Sequence, residues 1–158
     1  MLALALRLRA GAGASSGIAV KFRGVFSNFS SRMGSNTSKS SGGGGEGKSV
    51  ESQIKEEISS NTCVVYSKTW CGYCKRAKQV LRQHLAEEEV LTKELDTISE
   101  GREIQTALRG MTGIRTVPQI FLGAKLVGGC DDVVALQRKG ALAQVVEEAR
   151  KARQRSGL

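Results

Sequence analysis

Two cysteines separated by two residues, Cys71 and Cys74, stand in the run Ser67-Lys68-Thr69-Trp70-Cys71-Gly72-Tyr73-Cys74-Lys75-Arg76. A pair at this spacing either exchanges disulfides or helps to bind a metal, and its surroundings decide which. Ahead of it lies an apolar, strand-like run, Cys63-Val64-Val65-Tyr66; behind it, Cys74, Ala77, Val80, Leu81 and Leu85 recur at helical spacing. A thiol at a strand-to-helix junction meets unpaired amides and the positive end of the helix dipole. Both stabilise a thiolate, and Lys68, Lys75 and Arg76 add to the field. Cys71 precedes the first turn, whereas Cys74 falls inside it on the packing face. Cys71 is therefore expected to be the nucleophile and Cys74 the resolving or spectator thiol. A structural zinc site wants four ligands, and the chain offers only this pair, one histidine (His84, expected within the helix) and two isolated cysteines, Cys63 and Cys130.

Two further stretches carry chemistry. Thr116-Val117-Pro118 holds the only proline of the chain and sits just before a predicted hairpin. A cis bond there would leave the Val117 N–H and C=O free for an extended peptide; a trans proline would only begin an edge strand. Gly128-Gly129-Cys130-Asp131-Asp132 is a glycine turn running into a helix N-terminus. Its amides suit a carboxylate and Asp131 or Asp132 suits an ammonium group, the alternative being an Asp that merely caps the helix.

These stretches must be held by ordered elements, which the patterning supplies from about residue 50. Val50, Ile54 and Ile58 line a short helix ended by Ser59-Ser60-Asn61, and a strand follows over residues 62–67. The cysteine helix is expected to run to about His84, with Glu87-Glu88-Glu89 as a solvated connection and a strand over residues 90–95. A helix through Ile104, Ala107, Leu108 and Met111 ends at Gly110 or Gly113. The strands 119–122 and 125–127 flank Gly123-Ala124, and two short helices, 131–139 and 141–150, close the domain. A strand–helix–strand unit joined right-handedly gives two parallel strands, and the hairpin adds two antiparallel ones. The predicted fold is an α/β three-layer sandwich with a four-stranded mixed sheet.

The charge is divided unevenly. Residues 1–45 hold six Lys or Arg and no Asp or Glu, leaving 18 cations against 15 carboxylates in the remainder. The high net charge is thus mainly a property of the N-terminal segment, and the folded part has no basic face interleaved with aromatics, which excludes a nucleic-acid reading. Residues 1–33, rich in Arg, Ser and Ala, have the composition of an organellar presequence; residues 34–49 form a Gly/Ser-rich linker, and residues 152–158 a frayed basic tail. Arg7 and Arg9 interrupt the apolar start, unlike a secretory signal, and no stretch reaches a membrane span. A start at Met33 would expose Gly34 in a myristoylation-like context.

The combination Lys-Thr-x-Cys-x-Tyr-Cys, then Thr-Val-Pro, then Gly-Gly-x-x-Asp resembles the glutaredoxin family over about residues 50–150. The Ser35-Asn36-Thr37-Ser38 run, the helix through Ile54 and Ile58, Cys63-Val64-Val65 and Met111-Thr112-Gly113 resemble the animal mitochondrial branch. Chloroplast members share the Trp-Cys-x-Tyr-Cys and Gly-Gly-Cys features. The resemblance implies a thioredoxin fold and glutathione as cosubstrate. By resemblance, Cys71 forms the mixed disulfide, Lys68 and Gln105 hold the glycyl carboxylate, Tyr73 borders the sulfur, Thr116, Val117 and Pro118 form the backbone edge, and Asp131 and Asp132 take the γ-glutamyl end. It implies reduction of protein–glutathione mixed disulfides and protein disulfides by a monomer, with glutathione itself recycled by a glutathione reductase system. The mitochondrial matrix is the implied compartment, with the chloroplast stroma, or the cytosol from the internal start, as alternatives. Gly72 stands where many members carry proline, a change that in the family accompanies a [2Fe–2S] cluster bridged between two subunits by Cys71 and glutathione, so the alternative function is a dimeric cluster carrier or redox sensor. Cys63 is expected in the core. Cys130 is either a modifiable thiol near the glutathione site or a small residue filling a turn.

Overall fold

The computed structural model describes residues 48–156; the expected presequence, most of the linker, and Met33-Gly34 lie outside them. The elements run α1 (Val50–Ser60), β1 (Cys63–Ser67), α2 (Gly72–Leu81), a 3-10 turn (Glu87–Glu89), β2 (Val90–Glu94), α3 (Gly101–Thr112), β3 (Gln119–Leu122), β4 (Lys125–Gly128), α4 (Cys130–Arg138) and α5 (Leu142–Ser156). The sheet order is β2-β1-β3-β4, with β1 parallel to β2 and antiparallel to β3, and β3 antiparallel to β4. This is the mixed four-stranded sheet that the pattern predicts.

β1 is central, and every one of its residues is buried. Because side chains alternate along a strand, Cys63 and Val65 point into one layer while Val64 and Tyr66 point into the other. The first layer packs on Ala77 and Leu81 of α2, Val133 of α4 and Leu142, Val146 and Ala149 of α5; the second packs on Ile54 and Ile58 of α1 and Ile104 and Leu108 of α3. Fully burying a Leu, Ile or Val side chain is worth about 1.5–3 kcal/mol, so this continuous apolar filling is what holds the layers to the sheet. Burial pushes the Cys63 thiol up to about 12, with Glu89 nearby adding to the rise. Cys63 is core, as expected.

Several boundaries differ from the expectations. α2 stops at Leu81, not at His84: the bond from Gln83 N–H reaches back only three residues to Val80, tightening the chain into turns. The His84 imidazole lies outside the helix and meets Gln137 Oε1 at 2.6 Å. α3 runs through Gly110 and ends at Gly113, whose φ of 76° supplies the left-handed cap. The triple Glu87-Glu88-Glu89 is more than a solvated connection, since Glu89 accepts from Arg150 Nε at 2.7 Å and Nη2 at 2.8 Å. The last helix does not stop at residue 150 or fray from 152. It continues to Ser156, because Ala149 and the half-buried Ala152 extend its apolar stripe and Arg153 reaches Thr62 Oγ1 at 3.4 Å. Arg153 and Arg155 in the last turn also complement the helix dipole. Among the described residues no helix is long and apolar enough to cross a membrane.

Candidate active site

The cysteine pair lies where β1 hands over to α2. β1 ends at Ser67, the Cys71 N–H bonds back to the Lys68 carbonyl at 3.1 Å, and Cys71 becomes the N-cap of α2. Its sulfur accepts from the Cys74 N–H at 3.4 Å, satisfying one of the orphan amides at the helix start. On its other side the Cys71 thiol reaches the Val117 carbonyl at 3.9 Å. Cys71 retains 8 % exposure, whereas Cys74 retains none. Burial pushes the Cys74 thiol up to about 11, the adjacent Cys71 sulfur adding to the rise while Lys68 and Ser67 offset part of it. Cys74 thus stays a protonated thiol at neutral pH, sealed beneath its partner. The two cysteines are unequal in exposure, Cys71 reaching the surface and Cys74 not.

The rim of the site is aromatic and basic. Trp70 and Tyr73 are 70 % and 63 % exposed, unusual for large rings and suited to covering a ligand. The Lys68 ammonium sits over the Trp70 ring at 5.7 Å from its centroid. Behind them Asp96, on the loop after β2, accepts from the Thr69 N–H at 3.0 and 3.2 Å and also takes the Thr69 hydroxyl. These bonds hold the Asp96 carboxyl below its ordinary range. The same loop is latched where the Leu95 N–H meets the Ser67 carbonyl at 2.8 Å, and Gly101 is required beside it, since a Cβ there would lie 1.8 Å from the Leu95 oxygen. Asp96 is a positioning residue that sequence reading missed. Its signal would have been a lone Asp just after the strand parallel to β1.

The Val117–Pro118 bond is cis, the alternative that leaves the backbone edge open. Pro118 is buried, and the pairing of β3 with β1 begins only at Gln119, so Val117 stands outside the ladder. A buried network props this loop. Gln119 Nε2 donates to the Ile114 carbonyl at 2.9 Å, Gln119 Oε1 accepts from Thr112 Oγ1 at 3.0 Å, and Thr112 Oγ1 accepts from the Ile114 N–H at 3.0 Å. Gln105 of α3 joins in by donating to the Arg115 carbonyl at 3.2 Å. Thr116 is exposed on the same loop. Gln119 and Thr112 carry no reactive chemistry in sequence, and only the hydrogen bonds they make to each other and to Ile114 reveal them as supports.

The glycine turn closes the constellation. Gly128 has φ 129°, and a Cβ there would fall 2.2 Å from Asp132 Oδ2. That oxygen accepts from the Gly129 N–H at 2.8 Å, so Asp132 caps α4, while Asp131 stays exposed and unengaged by this cap. The two aspartates, equivalent in the sequence reading, are separated here. The turn lies against the proline loop, a Cβ on Gly129 falling 3.7 Å from the Pro118 carbonyl oxygen. Cys130 is buried at the start of α4, and its thiol is raised chiefly by that burial, Arg76 opposing it.

A cysteine at a helix N-terminus, an open backbone edge and a second helix N-terminus are therefore brought to one end of the sheet. The glutaredoxin family profile matches residues 63–127, spanning the cysteine pair and the cis-proline. A glutaredoxin of Ricinus communis is 50% identical over 97 residues, which cover 61% of this chain and 93% of the relative. The chain belongs to the glutaredoxin family. Glutaredoxin-C4, chloroplastic, of Oryza sativa subsp. japonica is 43% identical over 97 residues, 61% of this chain and 71% of the relative. Among solved structures, the buckwheat glutaredoxin–glutathione complex matches at TM-score 0.60 and 43% identity, covering 63% of this chain and 89% of that one. The fold is thus that of thioredoxin-fold glutaredoxins. These relatives are plant proteins and do not single out the animal mitochondrial branch to which the N-terminal and helix motifs were compared.

Proposed function

We propose that the chain is a glutathione-dependent thiol–disulfide oxidoreductase that reduces protein–glutathione mixed disulfides. The observation that carries the reading is the asymmetry of the pair, with Cys71 at the helix N-cap and the rim, and Cys74 buried and protonated behind it. The bound glutathione of the buckwheat relative supports glutathione as the partner.

In this reading the Cys71 thiolate attacks the glutathione sulfur of the mixed disulfide, forming a Cys71–glutathione disulfide. The substrate's thiolate leaves and takes a proton. A second glutathione thiolate then attacks the same glutathione sulfur, releasing oxidised glutathione and the Cys71 thiolate, so the protein sulfur is reduced to a thiol as the incoming glutathione sulfur is oxidised, and the transferred glutathionyl sulfur stays in a disulfide throughout. The Val117 backbone pairs with the cysteinyl unit of glutathione. Lys68 and Gln105 receive the glycyl carboxylate, Tyr73 borders the sulfur, and the amides of α4 with Asp131 meet the γ-glutamyl end. Asp132 serves this end through its cap. For protein disulfides, Cys74 resolves the enzyme–substrate bond.

The test is turnover of a glutathionylated peptide by wild type, Cys71→Ser and Cys74→Ser. Loss with the first and retention with the second is expected; activity in Cys71→Ser overturns the assignment.

The residues of one chain do not fit a [2Fe–2S] cluster. Cys63, Cys74 and Cys130 are buried, and among the described residues no three ligating side chains gather. A cluster would need Cys71 from two chains and external thiolates, so no step is routed through one. The acid-free N-terminal composition and the chloroplastic name of the rice relative support delivery to an organelle, with the chloroplast stroma ahead of the mitochondrial matrix. Imaging residues 1–45 fused to a fluorescent reporter tests that choice.

A further inference from the structure

Beside the cysteine site an open groove of about 400 Å³ runs between α2 and α4, lined by Arg76, Asp131, Val134, Ala135, Arg138 and Lys139. The α4 members fall at positions 131, 134, 135 and 138, one continuous face of that helix, with Lys139 at its C-cap and Val134 and Ala135 as the apolar floor. Its rim carries three cations against one carboxylate, and among the described residues Arg76, Arg138 and Lys139 enter no ion pair. Arg138 stands in the last turn of α4 and Arg76 in the second turn of α2, so cations from both helices gather on one rim with only Asp131 to oppose them.

We infer that this groove receives an acidic, extended segment of the protein substrate, flanking the glutathionylated cysteine. The inference rests on the reductase reading and adds the substrate class. Asp131 stands at the proposed γ-glutamyl end, and Arg138 lies seven residues further along α4, about 10 Å at 1.5 Å per residue. An extended chain covers that distance in about three residues. The groove therefore spans about three residues of an extended chain, and the favoured substrate carries a run of about three Glu or Asp close to its target cysteine. The groove is open and shallow, and its apolar floor between charged rims suits a peptide strand lying across it.

The experiment uses glutathionylated peptides with a triplet of Glu or of Gln within a few residues of the cysteine, on either side, and a small mixed disulfide of glutathione and mercaptoethanol. Wild type should turn over one of the Glu peptides with kcat/KM about tenfold above its Gln counterpart at low ionic strength, the gap closing as salt screens the charges. The Arg138→Gln/Lys139→Gln variant should lose that preference while turning over the small mixed disulfide at the wild-type rate. Equal turnover of Glu and Gln peptides by wild type overturns the inference alone, as does a preference that survives in the variant. Failure of wild type on every substrate, the small one included, overturns the reductase reading and the inference with it. Inhibition by a short oligonucleotide where a Glu-rich peptide has no effect overturns the choice of occupant.

Discussion

The Cys74 N–H donates to the Cys71 sulfur at 3.4 Å while the Cys74 side chain lies wholly buried beneath it. One residue supplies both the hydrogen bond that greets a thiolate and the thiol that waits in reserve. With its thiol pushed up to about 11, Cys74 is ionised in only about one molecule in a thousand at pH 8. A brief iodoacetamide pulse on the reduced protein at pH 8 should label Cys71 and leave Cys74, Cys63 and Cys130 unmodified, read by peptide mapping. Equal labelling of Cys71 and Cys74 would contradict the asymmetry.

Asp96 and Thr69 make a second prediction. Their paired bonds fix the turn that presents Cys71, so Asp96→Ala should lower kcat/KM by about 3- to 30-fold through misplacement of the sulfur. Asp96→Asn, which still offers one acceptor oxygen, should recover part of it. The carboxyl is held below its ordinary range, so the contribution is fully present above that range and is lost as pH falls through the lowered value. The acid limb of the wild-type pH profile should accordingly be steeper than that of Asp96→Ala.

Gln119 is fully buried and satisfies Ile114 and Thr112 at once. Gln119→Leu leaves the part-buried Ile114 carbonyl without its donor, while the Thr112 hydroxyl keeps the Leu108 carbonyl and the Ile114 N–H, and should cost about 1–2 kcal/mol in denaturant unfolding. Because the same bonds prop the Val117 loop, KM for glutathione should rise more than kcat falls. Stability lost with KM unchanged would show the network to be purely structural.

Glu89 and Arg150 tie the 3-10 turn to α5. The Arg150 guanidinium holds the Glu89 carboxyl down at about 2, against an ordinary value of 4.5. A depressed carboxyl stabilises the fold fully above the unfolded value and loses that contribution as pH falls, here from about 4.5 towards about 2. The pair is partly solvated, with side chains 33% and 21% exposed for Arg150 and Glu89, so its worth is about 1 kcal/mol. Glu89→Gln should therefore lower Tm by about 4 °C at pH 7 and by progressively less in acid, measured by thermal unfolding across pH.

Much of this was written locally. Periodicity along one strand or helix is a short-range property, so the order of elements, the central burial of β1 and the place of the cysteine pair at the start of α2 follow from residues 50–150 alone. The Cys-x-x-Cys spacing and the single proline likewise named the reactive centre and its backbone edge, because both depend on neighbours within a few residues. Interactions across the sequence were illegible. Asp96 meets Thr69, Arg150 meets Glu89 and Gln119 meets Thr112 only once the sheet has brought distant segments together, and a carboxylate or amide in sequence does not declare which partner it will find. The same holds for Asp131 and Asp132, adjacent and chemically identical until the backbone at Gly128 turns one into a cap and leaves the other at the groove. The sequence by itself determined the fold class and the position of the cysteine pair; tertiary structure alone decided how that pair is held, because the supporting contacts depend on side chains that meet only after folding.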